Sequence, residues 1–511
     1  MIVGLSLPDG CLCSRATRPP TGQYERRSFL VFPRLLRGSP PSGSTRQSGI
    51  LPPPYTDRGD SGPNFASDRH IYTMEKLRIR GGRRLMGTLP ISGMKNSALP
   101  ILFACALNDE TCILQNVPAV RDVTTTIEIL RRMGVTINYR TPTTLEINGA
   151  GFRPCTSPDE LVTAIRASSY LMGVELARCG RTDIAYPGGC KFGSRPLDYH
   201  FKAFEIMGAE MTTRGHVTGM AEGGLHEGKI MLDTPSVGAT INIMLAASRI
   251  PGSVTTINNA AREPHVVDLA LFLNACGVSV KGAGTSEIKI FGTQNLHGCT
   301  HKIIPDMIEA GTYMAAVAGC GGCVTLTNAV SKHLEAVTSK LTEMGVSVKE
   351  SDDGDSITVT SEGAASLKSV QIKTDYYPGF PTDMHPQFAS LLCVSEGIST
   401  VTENIWTRRF AYLKELSKMG VSFSHSELGS TATFFGGQQL LPAEMDATDL
   451  RGGAAMVIAA LMADGESYIT TPEYIDRGYD DLIGKLSRVG ADIARVEVLS
   501  PSTQQSVSVL S

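Results

Sequence analysis

No stretch of this sequence is apolar for long enough to cross a membrane: the longest runs, such as ALPILFACAL at 98–107, have about ten residues, half of what a spanning helix needs. Nor is there a surplus of one charge. Lys and Arg number 47 against 50 Asp and Glu, a net −3, which gives no support to the basic surface that nucleic-acid binding requires. Any anion affinity must therefore be local. The 12 cysteines lack a framework spacing, and a chain of 511 residues is far larger than disulfide-stapled secreted domains, so a soluble protein of a reducing compartment is expected. Cys320-Gly-Gly-Cys323 is the one tight pair. Without a second pair or a histidine at zinc-site spacing, a small-residue helix end is expected there, and no metal site.

What is present is ordinary globular composition, 42% hydrophobic and 19% charged, in a chain long enough for roughly two to four domains. Residues 1–73 stand apart. They hold nine arginines and no lysine, Pro-rich patches such as GSPPSGSTRQSGILPPPYTDRGDSG and no periodic apolar face, so this segment is expected to be disordered. An organelle leader is one reading of it, opposed by five acidic residues and the lack of an amphipathic helix. The preferred expectation is an upstream start codon, because Met74 opens the strand-like MEKLRIRGG.

From there a motif recurs six times: LRRMGVTI (130), FEIMGAEM (204), LNACGVSV (273), LTEMGVSV (341), LSKMGVSF (416) and LSRVGADI (486). Its glycines, Gly134, Gly208, Gly277, Gly345, Gly420 and Gly490, are spaced 74, 69, 68, 75 and 70 residues apart. Each copy is an amphipathic helix end, a glycine able to take a left-handed C-cap, and an alternating strand. A period near 70 implies a small α/β unit with two helices and several strands. Six units suggest an α/β fold of two domains with three units each. The expected division is 95–304 for the first domain, 74–94 plus 305–497 for the second and a tail at 498–511, with chain crossings near Lys95 and Ile304 and a hinged cleft between.

Several strand-to-helix junctions carry charge. Asp383, Asp449 and Asp476 read as ordinary N-caps. Cations there oppose the helix dipole, so Lys95, Arg195, Arg451 and Arg477 point to a multiply anionic ligand that also uses free backbone N–H groups. Pro196 suits a first helical position. Cys190 lies in PGGCKFGSRPLDYH (187–200), with Gly188, Gly189 and Gly193 for loop mobility and Lys191 and Arg195 to favour the thiolate. These residues alone leave open whether it is reactive or a buried spacer.

The ordered motifs GG..L.G…ISG.KN.ALPIL, IRAS, PGGC..G.RP.D.H, SVGAT, NAAREP, PD.IEAGTY, FPTDM, RRF, ATDLR and IDRGY, spread from Met74 to about Val496, resemble the UDP-N-acetylglucosamine 1-carboxyvinyltransferase family of EPSP synthase-like enolpyruvyl transferases. The resemblance implies two inside-out α/β barrels, each of three repeated units, with a cleft between them. It implies transfer of the enolpyruvyl group of phosphoenolpyruvate to the 3′-hydroxyl of UDP-N-acetylglucosamine (UDP-GlcNAc), with phosphate released through a tetrahedral ketal, in the first committed step of peptidoglycan synthesis in the bacterial cytoplasm. No cofactor or metal, nucleic-acid partner or membrane insertion is implied, and oligomeric state stays open.

Carried over by motif, Lys95, Asn96, Arg195, Arg451 and Arg477 hold phosphoenolpyruvate. Arg166, the stretch Arg195, Pro196, Leu197, Asp198 and Tyr199, then Thr234, Pro235, Ser236 and Val237, with Asp383 and Ile405, contact UDP-GlcNAc. Cys190 corresponds to the proton donor alkylated by the epoxide fosfomycin, and Asp383 to the group that takes or orients the 3′-hydroxyl proton. Lys95 and Arg477 share the catalytic set, and Glu263, Arg409 and Asp449 are supporting positions. Tyr474, Met307 and the run IWTRRF before Arg409 depart from the commoner pattern, with consequences expected for uridine packing or loop closure.

Overall fold

A computed structural model describes residues 73–189, 196–406, 408–426 and 429–499. The leader expected before Thr73, the tail beyond 499 and the segment 190–195, which includes Cys190 and Arg195, lie outside the described residues.

The six units share one plan: a buried helix, a strand, a second helix with one wet face, and a strand pair that is a hairpin in the first five. In the first, the helix Lys95–Cys105 has ten of its eleven residues buried, so it is apolar nearly all round and belongs in a core. The strand Thr111–Gln115 follows, then the helix Arg121–Arg132, whose buried positions include Val123, Ile127 and Leu130 on a single stripe. The hairpin strands Thr136–Thr141 and Thr144–Asn148 complete the unit. The sheet order is 300–302, 111–115, 144–148, 136–141; the first pair is parallel and the others antiparallel.

All six repeat glycines have positive φ, from 79° to 101°. In five units the residue after the glycine also donates its N–H five residues back, as Val135 does to Leu130 O and Ala491 to Leu486 O. The helix carbonyls left without intrahelical partners are satisfied by that turn, which a Cβ would strain.

The first strand does not stay with its sequence neighbours. Thr73–Arg80 inserts between Glu466–Thr470 and Asp492–Leu499, antiparallel to both, with Lys76 opposite Thr470 and Leu77 opposite Arg495. It thereby supplies the strand missing from the sixth unit.

The apolar residues form two separate cores. One runs from Ala98 to Ile303 and is centred on the helices Lys95–Cys105, Tyr170–Cys179 and Val237–Ala247. The other joins Leu77–Met94 to Met307–Ile493 around Met307–Cys320, His385–Val394 and Leu450–Met462. The fold is thus two α/β barrels of three units each, with helices inside and sheets outside. The connections between cores run antiparallel: Met94 N donates to Ile304 O (2.7 Å) and Asp306 N to Ser92 O (2.9 Å). Removing one buried helix side chain, such as Leu102, costs about 2–5 kcal/mol. Cys320 ends its helix and Gly321 takes φ 75°, the helix end expected for that pair.

Candidate active site

A cavity of about 560 Å³ lies between the barrels. Lys95, Asn96, Arg166, Tyr199, Thr234 and Glu263 line one wall, and Met307, Tyr376, Tyr377, Asp383, Trp406 and Arg477 the other.

At one end a single carboxylate gathers two cations. Lys95 opens its helix, and its Nζ lies 3.1 Å from Asp122 Oδ2. Arg477, from the other barrel, places Nε 2.9 Å from Asp122 Oδ1 and Nη2 3.3 Å from Oδ2. Burial alone would raise the pKa of Asp122, but Lys95 and Arg477 hold it below its ordinary value. One anion between two cations leaves net positive charge facing the cavity, suited to an anionic ligand. Asp306 fixes the helix start from beneath: Oδ1 accepts from Ile308 N and Glu309 N, and Oδ2 from Lys95 N.

Asp383 is held by a second pair of cations. Arg409 Nη2 approaches Oδ1 to 2.6 Å, and Arg451 Nε approaches Oδ2 to 3.2 Å. Burial would raise this carboxyl as well, yet the two guanidinium groups hold it well below the usual carboxylate range. Burial likewise works against the charge on Arg451, and Tyr479, whose ring centroid lies 5.3 Å from its Cζ, together with Asp383 more than offsets it. Next to Asp383, Thr382 Oγ1 donates to Glu403 Oε2 (2.7 Å). Glu403 Oε1 accepts from Ile405 N (2.7 Å) and Trp406 N (2.9 Å), which holds that turn against the cavity.

On the facing wall, Thr234 Oγ1 donates to Tyr199 OH (3.1 Å), and Ser236 caps the helix Val237–Ala247 by accepting from Ala239 N. Glu263 Oε2 and His265 Nδ1 are buried without a hydrogen-bond partner among the described residues. Burial raises the Glu263 carboxyl above its ordinary value and pushes the His265 imidazole down to about 4, so the imidazole is uncharged at neutral pH. His200, pushed down to about 3 by burial and by Arg166, accepts from Asn242 Nδ2 (2.8 Å) and is neutral too.

The loop that leads to Cys190 is rooted by close packing. A Cβ on Gly188 would sit 1.7 Å from Thr163 O, and Gly189 takes φ 114° against the Arg166 backbone. Arg166 Nη1 donates to Pro187 O (3.3 Å). Gly188 is therefore required by a close approach, a reason separate from the mobility read from the sequence.

Lys95, Asn96, Arg166, Pro196, Asp198, Tyr199, Thr234, Pro235, Ser236, Val237, Glu263, Asp383, Ile405 and Arg477 thus share one cavity. Leu197 is buried in the first core, and Arg409, Arg451 and Asp449 stand behind the wall. Some local expectations need correction. Asp449 does cap its helix, accepting from Arg451 N (2.9 Å), but Asp383 does not: the helix His385–Val394 starts after Met384, and the carboxylate turns to the arginines instead. Asp476 binds Arg495, and Arg477 sits in a turn rather than a helix start, the next helix being capped by Asp481. Pro196 precedes the helix Asp198–Ile206, whose N-cap is Leu197. Sequence reasoning missed Asp122, which looks like any acidic residue in a first helical turn, and Glu403, His200 and His265. Of the departing positions, Met307 and Trp406 reach the cavity, whereas Tyr474 packs on the second core.

Residues 79–486 match the EPSP synthase (3-phosphoshikimate 1-carboxyvinyltransferase) family. A UDP-N-acetylglucosamine 1-carboxyvinyltransferase of Finegoldia magna is 44% identical over 426 residues, and UDP-N-acetylglucosamine 1-carboxyvinyltransferase 3 of Caldanaerobacter subterraneus is 48% identical over 423; each match covers 83% of this chain and all of the relative. The crystal structure of the enolpyruvyl transferase NikO from Streptomyces tendae superposes with a TM-score of 0.74 at 24% identity, over 84% of this chain and all of that one. EPSP synthase from Acinetobacter baumannii gives 0.64 at 19%, over 83% and 100%. These two likenesses bear on the fold. With relatives this similar over their whole length, and with the cavity lined by the motif residues, the chain belongs to the UDP-N-acetylglucosamine 1-carboxyvinyltransferase family of enolpyruvyl transferases.

Proposed function

We propose that this chain transfers the enolpyruvyl group of phosphoenolpyruvate to the 3′-hydroxyl of UDP-GlcNAc, releasing phosphate, as the first committed step of peptidoglycan synthesis in the bacterial cytoplasm. The observation that carries the site assignment is the convergence of Lys95 and Arg477, one from each barrel, on Asp122 at the end of a cavity wide enough for a sugar nucleotide.

In this reading the phosphate and carboxylate of phosphoenolpyruvate sit on Lys95, Asn96 and Arg477, with Arg195 joining from the loop. UDP-GlcNAc lies along Arg166, Pro196–Tyr199, Thr234–Val237 and Ile405. The 3′-hydroxyl gives up its proton past Asp383 to solvent as its oxygen bonds to C2, while the methylene carbon C3 takes a proton from the Cys190 thiol, giving the ketal. The Cys190 thiolate then takes back a C3 proton as the C2–O bond to phosphate breaks, which expels phosphate and restores both the double bond and the thiol. Asp383, with both oxygens bound to arginines, is a weak base, so it acts chiefly by orienting the 3′-hydroxyl. Arg451 and Arg409 position that carboxylate.

A paralogue with another acceptor, or one that is catalytically silent, is the second reading, favoured only by Met307 and Trp406 on the cavity wall. Phosphate release tests both. Release that needs phosphoenolpyruvate and UDP-GlcNAc together supports the proposal, whereas release with shikimate 3-phosphate instead, or none, overturns it.

A further inference from the structure

Four cysteines separated in sequence converge at the end of the first barrel remote from the cleft. Cys112 lies on the strand Thr111–Gln115, Cys276 is the C-cap of the helix Pro264–Ala275, and Cys299 precedes the strand Thr300–Lys302. Their three Sγ atoms lie within 4.8 Å of one another, Cys276 and Cys299 at 3.4 Å. Cys105, the last residue of the helix Lys95–Cys105, neighbours Cys112 but lies outside that 4.8 Å set, so it joins the others only by turning its side chain inward. Cys105, Cys112 and Cys276 are buried and Cys299 is half-buried, which leaves a route from solvent.

An ion with metal–sulfur bonds of about 2.3 Å in tetrahedral geometry sets its sulfurs about 3.8 Å apart. The three sulfurs, 3.4 Å apart at Cys276–Cys299 and all within 4.8 Å, reach that spacing with small side-chain shifts, and the 3.4 Å contact is far beyond a disulfide bond of about 2.05 Å. Two helices end at the cluster. Their C-terminal partial negative charges oppose bare thiolates and favour a cation among them. Asn108 Nδ2 donates to Cys112 Sγ (3.8 Å) and to His297 O, the kind of outer-shell donor that orients a metal thiolate. His297 N in turn donates to Cys276 O (3.1 Å), tying the Cys299 loop to the helix end.

We propose that Cys112, Cys276 and Cys299, with Cys105 as fourth ligand, bind one thiophilic divalent cation of the zinc class. Each ligating thiol releases its proton to solvent as the metal–sulfur bond forms, and no electron is transferred. The cluster lies outside the cavity, but the two helices it joins carry Lys95 and Glu263 at their opposite ends, about 16 Å away by the rise of an eleven-residue helix. The ion clamps the far ends of two helices that present groups to the cleft.

The test uses the full chain, stripped with chelator under reducing conditions and reloaded with Zn²⁺ or Co²⁺. The expected result is close to one ion per chain by elemental analysis, tetrahedral cobalt–thiolate absorption, and a melting temperature that falls on stripping and recovers with zinc. Cys299→Ser, at the half-buried and therefore most tolerant position, loses more affinity than the about tenfold due to an outer-shell partner, and Cys276→Ser likewise. Cys179→Ser, at an exposed cysteine outside the cluster, retains the ion. Substoichiometric metal after reloading, a cobalt spectrum unchanged in Cys299→Ser, or a Cys276–Cys299 disulfide in protein that takes no metal would each overturn the proposal. These readouts are independent of catalysis, so they succeed or fail apart from the functional reading.

Discussion

Asp122 and Arg477 belong to different barrels, 355 residues apart, yet the carboxylate of the first accepts two hydrogen bonds from the guanidinium of the second, at 2.9 and 3.3 Å. With Lys95 on the same carboxylate, the ion pair fixes the distance between the two cations proposed to bind phosphoenolpyruvate. Asp122→Asn keeps the shape and removes the charge. Because misplacement by about 1 Å can cost on the order of 10²-fold, kcat/KM for phosphoenolpyruvate is expected to fall by about that factor, with KM for UDP-GlcNAc little changed. Steady-state kinetics with each substrate varied in turn check this.

Asp383 gives a pH prediction. Its folded pKa is held well below that of an unfolded aspartate, about 3.9, so its stabilising contribution is present in full above that value and is lost as pH falls through the folded pKa. Asp383→Asn leaves Arg409 and Arg451 facing an uncharged amide and is expected to cost about 1–3 kcal/mol near neutrality. Urea unfolding of both proteins across pH should show a constant gap from neutral pH down to about 5, closing only in stronger acid.

Glu403 is buried and spends both oxygens on the cleft wall, Oε1 on Ile405 N and Trp406 N and Oε2 on Thr382 Oγ1. In Glu403→Gln an amide NH₂ must face one of these donors, at a cost of about 1–3 kcal/mol. KM for UDP-GlcNAc is expected to rise about tenfold, more than kcat falls, as initial rates with the acceptor varied would show.

Gly188 packs under Thr163, so Gly188→Ala forces the backbone two residues before Cys190 to move, at about 1–3 kcal/mol. Thermal melting should report the loss, and fosfomycin labelling of Cys190 should slow in parallel.

Cys190 itself is tested by two substitutions. Cys190→Ala should abolish turnover and labelling. Cys190→Asp keeps an acid at the position and should retain activity while resisting fosfomycin, since a carboxylate is the poorer nucleophile toward an epoxide; inhibitor-sensitive activity in that variant would contradict the assigned role.

The repeat was legible because six Gly C-caps recur at one period, and each glycine does take positive φ. The fold class followed from it and from the ordered motifs. What sequence could not supply was which charge faces which. Asp383 looked like a helix cap because the next helix starts two residues later, and only the packing of two barrels turns it onto Arg409 and Arg451. Asp122 was hidden for the same reason: its partners come from the start of another helix and from a distant turn. The asparagines Asn116, Asn259 and Asn328 recur at strand ends with φ near 55° and cap an edge-strand carbonyl in their unit, a second repeat signal that lay unread in the sequence. The cysteine cluster joins residues up to 194 positions apart, and no spacing rule detects that.

The most direct test of the account is the structure of the product formed from phosphoenolpyruvate and UDP-GlcNAc, read by NMR with phosphate counted alongside. One phosphate per turnover and a vinyl ether on the 3′-oxygen of the sugar are expected. Unchanged UDP-GlcNAc, or an enolpyruvyl group on a different acceptor or oxygen, would contradict it.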